Sequence, residues 1–338
     1  MTQIALNSGF SSIRQFNESF RSAYSISPSE LRKSARGGDQ GHGETGITIR
    51  LTYRPPFAWD RLVAFLLPRQ IPEIEHVGPD RYARTVRYPD GTAGTLEVSP
   101  LAGEHALLAR FTPIPIHGLA GMVQRVRSMF DLDADPTAID AVLSEDPALS
   151  PLMAERPGLR IPGIWDVFEF VVRAILGQQV SVKSATTMAA RLVRLTATPA
   201  GEVSARVTPG GFLFPDPETL AAADLSQLAV TESRRKTLAV FSQNVATGAL
   251  SLDSPELPQR LIELPGIGPW TVAYTAMRAL GEPDILPASD LVLRKAVGAA
   301  LPGRTGRPLM SVRDVEQRGN SWRPWRSYAT MYLWDRWL

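Results

Sequence analysis

Apolar and polar residues alternate along residues 47–53 (ITIRLTY), which is the two-residue period of a strand with one buried face. Over residues 59–67 the period lengthens to that of a helix. Residues 81–111 return to strand-like alternation, interrupted by Tyr88-Pro89-Asp90-Gly91, a turn sequence. Residues 118–132 show helical spacing at Leu119, Met122, Val123, Val126 and Phe130. From about Asp133 onward the chain reads as helix after helix, with Phe212-Leu213-Phe214-Pro215 in a loop region that carries a short strand. The pattern predicts an α+β protein that is mostly α. A small antiparallel α+β domain over 47–132 is followed by an all-helical domain over 133–338.

Two segments precede these. Residues 37–46 (GGDQGHGETG) contain five glycines and no apolar side chain, the composition of a flexible linker. Residues 1–36 have helical character, with Gly9 at a turn and Ile13, Phe16 and Phe20 as an apolar stripe.

The densest cluster of chemical signals lies in 264–295, LPGIGPWTVAYTAMRALGEPDILPASDLVLRK. Leu257, Leu261 and Ile262 pattern one helix, and Val272, Tyr274, Thr275, Met277 and Leu280 pattern the next. Between them stands Pro265-Gly266-Ile267-Gly268. Glycines at such a turn let the backbone approach a ligand without a Cβ, and the unpaired N–H groups opening the second helix suit a phosphate oxygen. Contacts of that kind hold a nucleic acid without reading its sequence. The same residues also satisfy a plain αα-hairpin. Downstream, Asp290 follows Ser289 just before an apolar helical run, where aspartate is a favoured N-cap. A helix N-terminus also keeps a carboxylate ionised, so capping and chemistry are compatible.

These residues resemble the signature of the helix-hairpin-helix base-excision DNA glycosylases: hairpin, Gly/Pro-rich loop, aspartate. The resemblance implies that Gly266, Gly268 and Thr271 grip backbone phosphates and that glycosidic-bond cleavage depends on Asp290. A fixed carboxylate would stabilise the positive charge left on the deoxyribose as the base departs. Members that also nick the backbone carry a lysine nucleophile where this chain has Trp270, so a Schiff base at that position is not expected. The chain contains no cysteine, which excludes the iron–sulfur cluster of other branches. A monofunctional enzyme is implied.

Within that superfamily, residues 52–66, 156–182, 264–295 and 322–334 are similar to the AlkA-type 3-methyladenine DNA glycosylase II family. Its fold would make 47–132 a TBP-like antiparallel domain. Its aromatic cleft for the flipped base would use Trp270, Tyr274 and Trp334, whose faces attract an electron-poor methylated purine by about 0.5–2 kcal/mol. Core packing is the plain alternative for these three rings. Gln179 matches the side chain that fills the gap left by the flipped base, where a member of the family carries leucine. Leu291 stands where an aromatic follows the aspartate. Related hairpins hold a cation on turn carbonyls, here those of Ile262, Leu264 and Ile267. The front segment resembles the second helix-turn-helix of an AraC-type regulator of the Ada kind, with Arg14 and Arg21 facing DNA.

Net charge is only +2, but from Leu291 onward nine Arg and Lys face three acids, so the expected cationic surface, with Arg294 and Lys295 on DNA, is local. Four scattered histidines show no metal-ligand spacing. No apolar run spans a membrane, and no organic cofactor is implied. The expected protein is a cytoplasmic monomer acting on duplex DNA that contains alkylated purines such as 3-methyladenine and 7-methylguanine. Two other readings stay open: a DNA-binding regulator with an inactive glycosylase body, and a glycosylase for another lesion.

Overall fold

The computed structural model describes residues 12–24, 29, 46–115, 118–201, 211–300 and 309–336. They divide into two compact units. One comprises residues up to Tyr53, Pro72–Gln124 and Pro199–Leu213; the other comprises Arg54–Ile71, Arg125–Thr198 and Phe214 onward.

The first unit is built on a five-stranded antiparallel sheet. Its strands are β1 (Ile47–Thr52), β2 (Glu75–Val77), β3 (Tyr82–Arg87), β4 (Ala93–Pro100) and β5 (Ala106–Thr112), in the order β1-β5-β4-β3-β2. The alternation in the sequence fixes which face is buried: Ile47, Ile49 and Leu51 point inward while Thr48 and Arg50 do not. β1 pairs with β5 through Ile47 opposite Phe111 and Leu51 opposite Leu107. The predicted turn closes β3 onto β4, with the Tyr88 N–H donating to the Thr92 carbonyl at 2.8 Å and Gly91 at φ +85°. Helix α1 (Ile13–Tyr24) forms within the region expected to be helical, but Ile13 is exposed there, not buried. Gly9 and most of the expected linker lie outside the described residues.

The second unit is helical. It contains α2 (Trp59–Leu66), α4 (Pro136–Leu143), α5 (Ser150–Glu155), α6 (Val167–Leu176) and α7 (Val182–Thr196), with α3 (Leu119–Met129) leading into it. After the short strands β6 (Thr198–Pro199) and β7 (Phe212–Leu213) come α8 (Pro217–Ala222), α9 (Glu232–Ala246), α10 (Leu257–Ile262) and α11 (Pro269–Arg278). The last three are α12 (Leu291–Ala300), α13 (Val312–Gly319) and α14 (Arg326–Asp335). The expected α+β class holds, and so does the short strand at Phe212.

The compact units do not follow the expected boundary at 132. Helix α2 lies in the expected N-terminal domain by sequence, yet Phe65 packs into the helical core with Leu143, Trp322 and Leu333, and Trp59 stacks on Phe130 at 5.8 Å. Conversely, Phe212 joins the sheet unit, its carbonyl accepting the Thr85 hydroxyl at 2.5 Å. The core of the helical unit is centred on α14, in which every residue from Ser327 to Asp335 is buried. A helix buried all round must satisfy its polar side chains internally. Here Ser327 donates to the Glu282 carbonyl, Tyr328 to Asp131 and Thr330 to the Arg326 carbonyl, and Asp335 pairs with Arg156.

Candidate active site

The hairpin forms as α10, turn, α11. Leu257 and Leu261 are buried, whereas Ile262, read as part of the same stripe, is exposed. The two turn glycines have different reasons to be glycine. Gly266 sits at φ +84°, and a Cβ there would stand 2.0 Å from Thr237 Oγ1, so both backbone conformation and packing demand it. Gly268 has an ordinary φ of −103° and open space where a Cβ would be. That position is the N-cap of α11, where glycine is itself a favoured residue, and the open space leaves room for close approach by a ligand. Pro269 occupies the first turn of α11, where its missing N–H costs nothing.

The hairpin is tied to the loop between α6 and α7. Gln178 Nε2 donates to the Gly266 carbonyl at 2.9 Å and to Thr271 Oγ1 at 3.1 Å, while Arg234 Nη2 donates to the Gln178 carbonyl at 2.5 Å. Thr271, expected to face phosphate, is buried with its hydroxyl committed to Gln178. What its side chain holds is the neighbouring loop. That loop carries Gln179 at its exposed apex, with φ +56°, a conformation that L side chains other than Asn and Asp seldom adopt. Ser181 caps α7 on the far side by accepting the Ser184 N–H. Gln179 is therefore presented outward by a loop anchored on both sides.

Asp290 caps α12 as the sequence suggested, with Oδ1 accepting the Leu293 N–H at 2.8 Å. The same carboxylate accepts two indole N–H groups, Trp270 Nε1 on Oδ2 at 2.9 Å and Trp334 Nε1 on Oδ1 at 3.0 Å. The two tryptophans thus orient the carboxylate through their indole N–H groups, a role that ring chemistry alone did not suggest. Trp270 stacks on Tyr274 with centroids 5.0 Å apart and planes 22° apart, and Trp334 meets Tyr274 edge-on at 6.0 Å. Phe170, not singled out from sequence, adds a tilted ring 5.0 Å from Tyr274. The three predicted aromatics and the predicted aspartate are one contiguous group.

Behind Tyr274 lies a cluster that periodicity alone did not reveal. Arg278 Nη1 donates to the Tyr274 hydroxyl oxygen at 2.6 Å, and the Arg69 guanidinium, which donates to the Phe65 carbonyl at 2.7 Å, adds a second positive charge near it. Arg173 stands nearby, paired with Glu169 at 2.9 Å. Burial raises the Tyr274 pKa, but the guanidinium groups of Arg278, Arg69 and Arg173 outweigh it and leave the phenol below its usual range. Burial also lowers the pKa of Arg69. The one signal in the sequence was an arginine four residues after Tyr274, on the same helix face.

The basic C-terminal segment is less available than its composition implied. Arg294 Nε donates to the Met310 carbonyl at 2.6 Å, Arg318 pairs with Asp146, and Arg323 and Arg326 pair with Asp284. Among the described residues of that segment, Lys295, Arg313, Arg323 and Arg336 are exposed, Arg323 with its ion pair to Asp284. Leu291, beside Asp290, is 51% exposed and does not close a pocket wall. The described residues include no group of three metal-ligating side chains, so a cation at the turn would rest on backbone carbonyls, of which that of Leu264 already accepts the Ile267 N–H at 3.1 Å. A groove of about 1100 Å³ runs along the opposite face of α11, past Val272, Ala273 and Ala276, and includes neither Asp290 nor the aromatic cluster.

Comparison with known proteins bears on this arrangement. Residues 48–166 match the AlkA N-terminal domain, and residues 172–308 match the HhH-GPD superfamily base excision DNA repair protein model. DNA-3-methyladenine glycosylase 2 of Escherichia coli is 31% identical over 84% of this chain and 95% of its own length. This chain belongs to the AlkA family. Another family relative is the Mycobacterium tuberculosis protein named "Probable bifunctional transcriptional activator/DNA repair enzyme AlkA", 39% identical over 98% of this chain. The present chain spans 66% of that relative's length. Among solved structures, a 3-methyladenine DNA-glycosylase from Archaeoglobus fulgidus shares the AlkA-family fold, with a TM-score of 0.71 at 20% identity, covering 85% of this chain and 98% of the other. Among the described residues no helix is long and apolar enough to cross a membrane.

Proposed function

We propose that this chain is a monofunctional DNA glycosylase that flips alkylated purines from duplex DNA and hydrolyses the N-glycosidic bond, leaving an abasic site. The observation that carries the reading is the Asp290 carboxylate. Three N–H donors hold it beside stacked aromatic rings on the α10–α11 hairpin. Held in place before substrate arrives, a carboxylate stabilises the cationic sugar as the C1′–N bond breaks, with no cost of reorientation during the reaction. It also orients the attacking water, whose oxygen forms the new bond to C1′ and whose proton passes to the carboxylate, while the base leaves with the electron pair of the broken C1′–N bond. Trp270 occupies the position from which a lysine would attack, so water is the nucleophile. The hairpin turn, through Gly268 and the N–H groups opening α11, takes the phosphate backbone. Gln179 fills the vacated stack and offers hydrogen bonds to the orphaned base.

The test is release of free 3-methyladenine and 7-methylguanine from methylated duplex DNA by the parent and by Asp290→Asn. Release by the parent and a loss of at least about 100-fold in the variant are expected, the scale of removing a group that stabilises developing charge. A folded, DNA-binding parent that releases neither base would overturn the reading. One observation favours a second specificity. The net positive cluster behind Tyr274 suits neutral, acceptor-rich bases better than cationic ones. Faster release of hypoxanthine than of 3-methyladenine would select it.

A further inference from the structure

Arg278 is buried and makes three directed contacts. Nε donates to the Pro162 carbonyl at 2.6 Å, Nη2 to the Gly163 carbonyl at 3.2 Å and Nη1 to the Tyr274 hydroxyl at 2.6 Å. Its guanidinium also lies over the rings of Phe65, Phe170 and Tyr274, 4.9–5.3 Å from their centroids. Among the described residues it has no carboxylate in ion-pair range, so a desolvated charge is retained here on carbonyls, ring faces and one phenol. A purely structural site would be filled more cheaply by an apolar side chain of similar volume. The contacts form a chain. The segment at Pro162-Gly163 holds Arg278, and Arg278 holds the Tyr274 hydroxyl. The Tyr274 ring stacks on Trp270, and Trp270 donates to Asp290 Oδ2.

We propose that Arg278 is a positioning residue for base excision, setting the orientation of the Asp290 carboxylate through Tyr274 and Trp270. Arg278 touches neither sugar nor base. It fixes the ring plane against which the Trp270 indole lies, and hence the direction of the indole N–H. The planar fork is what allows one side chain to hold two carbonyls and a phenol at once, so lysine is not an equivalent replacement. The inference rests on the glycosylase reading for its kinetic consequence but not for its geometric one.

Two readouts separate these. In the first, ¹H–¹⁵N spectra of indole-labelled protein follow the Nε1–H signals. Arg278→Met and Tyr274→Phe should shift the Trp270 signal and speed its solvent exchange, while Trp322, whose indole donates to Asp146, stays unchanged. An unmoved Trp270 signal overturns the proposal whether or not the protein has activity. In the second, single-turnover release of 3-methyladenine is measured for Arg278→Met, Trp270→Phe and the double variant, beside binding to an abasic-site duplex. Arg278→Met should slow release about 10–100-fold, the cost of a small misplacement of a reacting group, with duplex binding unchanged. In the Trp270→Phe background it should cost nothing further. An equal loss in both backgrounds overturns the relay. Should Arg278→Met fail to fold, Tyr274→Phe replaces it in both experiments, because it keeps both carbonyl contacts of Arg278 and removes only the phenol link. An inactive parent would count against the glycosylase reading and leave the spectroscopic test standing.

Discussion

Replacing Asp290 with asparagine is the natural test of catalysis, and the structure assigns it a stability cost as well. The carboxylate accepts three N–H groups, two on Oδ1 from Leu293 and Trp334 and one on Oδ2 from Trp270. Asparagine has a single acceptor oxygen. Placed at Oδ1 it keeps two donors satisfied, and its NH₂ then faces the Trp270 indole N–H, donor against donor. An unsatisfied buried donor costs about 1–3 kcal/mol, and the half-buried position of Asp290 and Trp270 places this case at about 1–2 kcal/mol. Trp270→Phe removes the opposing donor, so Asp290→Asn should cost about 1–2 kcal/mol less in the Trp270→Phe background than in the parent. The assay is urea denaturation followed by circular dichroism at 222 nm, a signal less dependent on tryptophan than fluorescence is. Single-variant effects that add to within about 0.5 kcal/mol would refute the geometry, because uncoupled sites behave in that way. The same cycle also guards the catalytic experiment. Lost activity in Asp290→Asn reports the missing charge only to the extent that the Trp270 conflict has been measured separately.

Two further outcomes follow from the geometry. Burial raises the Asp131 carboxyl to about 6 against the pull of the Ile161 N–H, the Tyr328 hydroxyl and Arg160. The native state therefore keeps a proton that the unfolded chain gives up near pH 4. This contribution is complete below that pH and is lost as pH rises through about 6, on the order of 2–3 kcal/mol. Asp131→Asn, which tolerates the φ of +50° at this position, should flatten that decline and leave the protein more stable above pH 6, as read from thermal midpoints at pH 4.5 and 7.5. A variant with an unchanged pH profile would contradict the assignment. Gly266→Ala should destabilise the hairpin by more than about 1 kcal/mol, since it combines positive φ with a Cβ 2.0 Å from Thr237 Oγ1, whereas Gly268→Ala should cost less, the replacement of a glycine N-cap alone, and weaken duplex binding. Equal thermal midpoints for the two variants, or equal binding, would count against the separate roles given to these glycines.

The elements with strong local signals were legible in the chain itself. Alternation at Ile47, Ile49 and Leu51 placed β1 and its buried face, because pleat geometry makes side-chain direction a two-residue property. Pro265-Gly266-Ile267-Gly268 marked the hairpin turn, and Ser289-Asp290 marked a helix start, because both depend on a few consecutive dihedrals and one capping hydrogen bond. That Trp270, Tyr274, Asp290 and Trp334 form one group was legible only through resemblance to a family, since nothing local joins positions 44 residues apart.

What tertiary structure alone decided was who pairs with whom. Thr271, expected to meet DNA, has its hydroxyl taken up by Gln178, and Arg294 gives its Nε–H to the Met310 carbonyl, because a polar group leaving water must find an internal partner. The net cationic count after Leu291 overstated the free charge for the same reason: Arg318, Arg323 and Arg326 serve Asp146 and Asp284. Helix α2 joined the helical core because Phe65 and Trp59 find their partners there, more than sixty residues away in sequence. The indole clamp on Asp290 and the hold of Arg278 on Tyr274 likewise arise where separate helices converge. Local sequence sets backbone conformation and which face is apolar, while the partner of each hydrogen bond is set by which elements meet once the core has closed.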